Sequence, residues 1–131
     1  MTLLLDSQAL VWWCEGNRKL GARARAAIEQ DAYGVLVSAA SAWELAIKSA
    51  TGRLTLREPV GRWLPAALDA SGFETLPVTL AHALAVTTLP FHHADPFDRL
   101  LIAQAQLEKL TIVTADSAFA DYDVKLLDAR Q

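Results

Sequence analysis

Leu3-Leu4-Leu5-Asp6 is three apolar residues shut off by an acid, and Thr111-Ile112-Val113-Thr114, with Asp116 two residues beyond, has the same form. Runs this short and this continuously apolar read as strands buried on both faces. Val35-Leu36-Val37 is another, the stretch from Phe73 to Val78 around Leu76 a further one, and Val124 to Leu127 the last. Helical patterns lie between them. They cover residues 7–15, ending near Gly16; about Leu20 to Gln30, broken by Gly34; 39–51, with Gly52 where a helix-terminating glycine belongs; a helix opened by Pro59 and closed near Gly72; 79–88; and Pro96 to about Lys109. A further turn of helix follows Asp116. Arg53 to Arg57 alternates and reads as a short extended piece, and Pro90 to Pro96 as a loop. Continuous strands separated by helices predict an α/β fold: a parallel sheet with helices on both faces.

At roughly 150 residues per domain, 131 residues make one domain, expected to span 1–131. An apolar share of 53% excludes a disordered chain. Twelve Lys+Arg against 15 Asp+Glu give a net charge of −3, so bulk positive charge does not bind nucleic acid here. Phosphate contact then needs a local patch or a bound cation. One cysteine, Cys14, excludes an internal disulfide framework and a multi-cysteine zinc site. No stretch approaches the roughly 20 apolar residues of a membrane span, and the acid at position 6 cuts short any secretory signal. The expected location is cytoplasmic.

No glycine-rich phosphate loop follows a strand, and there is no G-x-S-x-G elbow. Asp6 also lacks the second Asp, two residues on, of an aspartyl-phosphatase motif. The acids remain. In a parallel sheet ligands bind beyond the carboxyl ends of the strands, where Asp6 and Asp116 fall; helix capping is the competing explanation for each. Glu44 borders the buried stripe of its helix. It has capping-box spacing from Ser41 and ion-pair spacing to Lys48. Asp95-Pro96 is a helix start, which explains Asp95 by capping. Asp98 sits on one face with Leu101, Ile102 and Ala105, an expensive place for an unpartnered acid. Carboxylates gathered at one sheet edge raise one another's pKa unless a cation intervenes, and an all-oxygen set suits Mg²⁺ or Mn²⁺. Such a centre can activate water for attack on phosphorus.

Leu-Leu-Leu-Asp-Ser at the start, Val-Ser-Ala-Ala-Ser-Ala-Trp-Glu-Leu around Glu44, Asp-Pro-Phe-Asp-Arg-Leu-Leu-Ile-Ala-Gln-Ala from Asp95 and Ile-Val-Thr-Ala-Asp-Ser-Ala-Phe around Asp116 resemble, in order and spacing, the PIN-domain nucleases. Within them the chain looks like the VapC-type toxins of toxin–antitoxin pairs. The resemblance implies a PIN-like three-layer fold with a five-stranded sheet in order 3-2-1-4-5. It implies a Mg²⁺- or Mn²⁺-dependent endoribonuclease that leaves 3′-hydroxyl and 5′-phosphate ends. The family's acids carry over onto Asp6, Glu44, Asp98 and Asp116 as catalytic, metal-holding residues. Asp95 competes with Asp98 for the third place, and Thr114 and Ser7 match polar positions that line the family's site. A homodimer and an antitoxin that blocks the site are the implied partners, with RNA as substrate. A silent RNA- or protein-binding scaffold, or a nuclease or phosphoesterase on another substrate, are the alternatives.

Arg99 and Lys48 could touch phosphate or simply lie on a solvated helix face. Arg18, Lys19, Arg23 and Arg25 form the densest basic cluster, suited to an RNA backbone or to solubility. His92 and His93 could act as acid–base groups or bind metal, but adjacent loop histidines read first as surface residues. Were they the catalysts, cleavage would run without metal and leave cyclic phosphates. Trp12, Trp13, Trp43 and Trp63 read as core or interface, with base stacking indicated for none.

Overall fold

The computed structural model describes residues 2–30 and 34–131. Five parallel strands form one sheet in the order β3-β2-β1-β4-β5. They are β1 (Leu3–Leu5), β2 (Val35–Ser38), β3 (Glu74–Leu76), β4 (Thr111–Thr114) and β5 (Lys125–Asp128). The α-helices are α1 (Ser7–Glu15), α2 (Ala22–Gln30), α3 (Ala39–Ala50), α4 (Val60–Ser71), α5 (Leu80–Ala85) and α6 (Pro96–Glu108). Single 3₁₀ segments cover Val86–Thr88 and Ser117–Asp121. The expected strand order and alternation are both present. The extended piece expected over Arg53 to Arg57 is not a strand: it pairs with no neighbour and connects α3 to α4 as loop.

β1 is central because all three of its leucines are fully buried. Its period of two sends Leu3 and Leu5 to one face and Leu4 to the other. Leu3 and Leu5 pack with Val35, Val37 and Val113 under α1, α2 and α4, including Leu10, Ile28 and Leu64. Leu4 packs with Ile112 beneath Leu101 and Ile102 of α6, and against Phe119. Burying each such side chain contributes about 1.5–3 kcal/mol, so both faces hold the sheet.

Register then sets the site. Leu5 pairs with Val37 on one side and with Val113 on the other. The chains leaving β1, β2 and β4 therefore emerge together at the carboxyl edge. α1 ends cleanly because Gly16 adopts φ +63°, a conformation costly for other residues, and its N–H closes onto the carbonyls of Trp12 and Trp13.

Candidate active site

Asp6, Glu44, Asp98 and Asp116 line one open cavity of about 500 Å³ at the carboxyl edge of the sheet, together with Asp95 and Ser7. Four separate segments deliver them. Asp6 follows β1, and its N–H donates to Val113 O at 3.1 Å, which ties it to β4. Glu44 comes from α3, directly after β2. Asp98 is in the first turn of α6, and Asp116 lies two residues past β4.

The capping and site readings hold together. Asp6 Oδ1 accepts from Ala9 N at 2.8 Å at the head of α1. Asp116 Oδ1 accepts from Ala118 N at 2.9 Å. Each cap occupies one carboxylate oxygen. Asp95 caps α6, accepting from the N–H groups of Phe97 at 2.8 Å and Asp98 at 3.1 Å through the same Oδ1. That role separates it from Asp98, whose carboxylate is free of any cap. The Ser41–Glu44 capping box does not form: Ser38 is the N-cap of α3, and Ser41 is buried inside the helix. The Glu44–Lys48 pair does form, at 3.3 Å.

The polar residues around the acids hold them in place. Ser7 Oγ donates to Glu44 Oε1 at 2.7 Å. Thr114 hydrogen-bonds Asp6 through its side chain, and its Oγ1 accepts from Asp116 N at 3.1 Å. The hydroxyl of Thr114 thus links the acids that leave β1 and β4.

Electrostatically the cavity is short of positive charge. Burial raises the Asp6 carboxyl from 3.8 to about 6, and the neighbouring Glu44 and Asp116 add to the rise. Asp98 is raised to about 7, again chiefly by burial and then by Asp95 and Glu44. Lys48 and Arg130 are the cations of the lining, and Lys48 already pairs with Glu44. The carboxylates of Asp98 and Asp116, with those of Asp6 and Glu44 on the same cavity, are oxygen donors of the kind a hard divalent ion takes, so these residues fit a divalent cation.

Arg99 does not reach this cavity. It is only 7% exposed, not on a solvated face. Its guanidinium donates to Pro90 O at 3.0 Å, Val86 O at 3.2 Å and the Tyr122 hydroxyl at 3.2 Å. It braces the 90–95 loop from beneath. In the basic cluster, Arg25 leans over the Trp13 ring at 5.7 Å and donates to Asn17 O, so that arginine is engaged structurally. Trp12 is buried and lines the cavity floor, whereas Trp43 is 63% exposed and meets Phe97 edge-on.

The sequence reading missed one side chain here and took another, His93, first as a surface residue. Arg130, just past β5, lines the cavity and donates to Ala115 O at 3.1 Å; the strand-end rule applied to β5 would have pointed to it. His93 is not a free surface residue. Its Nε2 lies 2.8 Å from Asp98 Oδ2, and this bond raises the imidazole pKa. Burial among carboxylates still lifts Asp98 despite that bond. His92 stays exposed, with its ring edge-on to Tyr122.

The likenesses to known proteins follow the same lines. Residues 3–125 match the PIN domain family. Ribonuclease VapC22 of Mycobacterium tuberculosis is 35% identical over 116 residues, which is 88% of this chain and 87% of that protein. Among solved structures, VapBC2 from Rickettsia felis bound to a promoter DNA fragment superposes with a TM-score of 0.72 at 13% identity, covering 97% of this chain and 98% of that one. FitAcB from Neisseria gonorrhoeae gives 0.68 at 20% identity, with 97% of each chain covered. The sheet order, the acids at its carboxyl edge and the match along nearly the whole length agree, and this chain belongs to the PIN-domain family.

Proposed function

We propose that the chain is a Mg²⁺- or Mn²⁺-dependent endoribonuclease that acts as the toxin of a toxin–antitoxin pair. One observation carries this reading: Asp6, Glu44, Asp98 and Asp116 line a single cavity, and two of them, Asp6 and Asp98, are held protonation-prone by burial and by neighbouring carboxylates. Asp6, Asp98 and Asp116 would hold the ion, with Glu44 completing the set. A divalent ion bound there supplies Lewis acidity toward a phosphodiester and lowers the pKa of water. The chain's own residues do the rest. Ser7 and Lys48 fix both oxygens of Glu44, and Thr114 fixes Asp6 against the Asp116 backbone. Arg130 offers a guanidinium to a phosphate oxygen at the mouth of the cavity.

The 35% identity to a protein named a ribonuclease supports RNA as substrate. Structural likeness to a toxin–antitoxin complex from Klebsiella pneumoniae is in keeping with a blocking partner. Trp43, Leu80, Leu84 and Phe91 are large exposed apolar side chains, as expected of a surface covered by an antitoxin or a second copy of the chain. No helix among the described residues is long and apolar enough to cross a membrane; the reading puts the chain in the cytoplasm with its RNA. We further propose that residues 1–131 act as one domain.

The test is cleavage of total cellular RNA by purified protein with Mg²⁺ or Mn²⁺, then with EDTA, beside Asp98→Asn. Metal-dependent cuts with 5′-phosphate ends, lost in the variant, are the expected result. Cuts that persist in EDTA and leave cyclic phosphates would move the chemistry to the histidines. Absence of cleavage on every RNA tried, by protein freed of its partner, would leave a binding scaffold.

A further inference from the structure

His93 stands within 4.8 Å of both Asp98 and Asp116 through one ligand nitrogen, and the ligand atoms of all three lie within 4.8 Å of one another. Asp6 and Glu44 lie outside this group, on the same cavity. We propose that His93 Nε2 is a nitrogen ligand of the catalytic ion, shared with Asp98 and Asp116, and that it biases the site toward Mn²⁺ over Mg²⁺. The inference rests on the metal-dependent reading of the acid cluster.

Three observations carry it. The first is spacing. Two neighbouring ligands of an octahedral ion, each bonded at about 2.1 Å, are separated by about 3 Å. His93 Nε2 and Asp98 Oδ2 are 2.8 Å apart, the separation of two adjacent ligands, so an ion seated to one side of the line between them can take the place of the proton once the imidazole turns toward it. The second is anchoring. The His93 N–H donates to the Tyr122 hydroxyl at 2.9 Å, and the His92 N–H to the same oxygen at 3.2 Å. Arg99 in turn donates to that hydroxyl. A loop fixed from its backbone, through a buried guanidinium, presents its imidazole in one place, as a ligand must be presented. The third is orientation. His92 and His93 are neighbours in sequence, yet only His93 faces the acids. His92 packs its ring on Tyr122 at 5.2 Å.

The chemical consequence is selectivity. A cavity of carboxylates alone takes Mg²⁺ and Mn²⁺ on similar terms, whereas imidazole favours first-row transition metals. Mg²⁺ binds weakly to nitrogen and keeps its water. One imidazole in the set therefore raises affinity for Mn²⁺ more than for Mg²⁺.

Pulsed electron paramagnetic resonance of Mn²⁺ bound to the purified protein reads the ligand directly, without activity. Wild type and His92→Ala are expected to show ¹⁴N coupling from a bound imidazole, and His93→Ala to lose it. Mn²⁺ affinity should fall about tenfold in His93→Ala, while Mg²⁺ affinity measured by competition changes by less than about threefold. His93→Gln keeps a group that can bond Asp98 but has no imidazole, and it should also lose the coupling. Mn²⁺ bound to the wild type without ¹⁴N coupling would overturn the inference and leave His93 as an orienter of Asp98, with the metal reading intact. Failure of the wild type to bind Mn²⁺ at all would overturn that reading and this inference together.

Discussion

The Ser7 hydroxyl donates to Glu44 Oε1 at 2.7 Å, joining the first turn of α1 to the middle of α3 at the lip of the cavity. Lys48 holds the other oxygen of the same carboxylate at 3.3 Å. Glu44 is thus positioned from two sides, and Ser7 is the buried one of its two holders. Ser7→Ala is expected to cost about 1–2 kcal/mol of stability and to reduce RNA cleavage about tenfold, the loss typical when a ligand's supporting hydrogen bond is removed. Urea unfolding and a cleavage assay at saturating Mn²⁺ give both numbers. An unchanged cleavage rate would show that Lys48 alone positions Glu44.

Asp6→Asn and Asp98→Asn should separate function from stability. Asparagine is an adequate helix cap, so the bond from Ala9 N survives in the Asp6 variant. Each change removes a buried charge from a crowded site. RNA cleavage should fall at least about 100-fold. The metal-free protein at pH 8 should gain on the order of 1–3 kcal/mol, the scale of the raised pKa values. A loss of stability in both variants would contradict the electrostatic account.

The pH dependence has a definite sign. Asp6 and Asp98 have folded-state pKa values of about 6 and about 7, above their ordinary 3.8. Between these limits the folded state binds more protons than the unfolded state, so stability falls as pH rises. Metal-free protein should be more stable near pH 4 than at pH 8 as far as these two groups are concerned, with the decline spread over about pH 4–7. Saturating Mn²⁺ should lift the upper end of the profile and flatten it. Urea midpoints in EDTA and in Mn²⁺ across this range test it; the same midpoint at pH 5 and pH 8 in EDTA would refute it.

Arg99 is expected to matter for folding before it matters for chemistry. Arg99→Met removes bonds to Pro90 O, Val86 O and the Tyr122 hydroxyl, and should destabilise by about 2–4 kcal/mol. Lysine should not rescue it, because a single ammonium cannot reach acceptors spread around a planar fork. Thermal unfolding of both variants is the check. A destabilisation below about 1 kcal/mol would mean that the loop is held by Tyr122 alone.

Gly21 packs directly on the chain's last residues. A Cβ there would lie 2.2 Å from the Gln131 carbonyl carbon, and the Gly21 N–H already donates to Ala129 O at 2.8 Å. Gly21→Ala should cost about 1–3 kcal/mol through forced backbone displacement. Deleting residues 130–131 from the variant should recover most of that loss, and it will also remove Arg130 from the cavity. The two effects are read separately, by melting temperature and by cleavage.

Sequence alone located every strand, and the strand-end pattern singled out Asp6 and Asp116, while helix-face position and the order of the motifs singled out Glu44 and Asp98. An apolar run closed by Asp is legible in four to six residues, as at Leu3–Asp6 and Thr111–Asp116. The pattern failed where a contact joins segments far apart. Arg99 looks solvent-facing by helical position, yet it is buried because the 86–93 segment folds over it. His93 faces Asp98 only because Tyr122, 29 residues later, fixes its backbone. Arg53–Arg57 alternates like a strand, but no strand lies beside it to pair with. Asp95 and Asp98 could not be told apart by spacing; the caps onto Phe97 and Asp98 N–H groups distinguish them.

The pairing of β4 beside β1 sets a timetable as well as a distance. Asp6 and Glu44 leave the ribosome early, Asp98 follows, and Asp116 comes last. Until Thr111–Thr114 has emerged and slid into place next to Leu3–Leu5, Asp6 and Asp116 are not held at one sheet edge, so the cavity of acids cannot be complete before the second central strand is made.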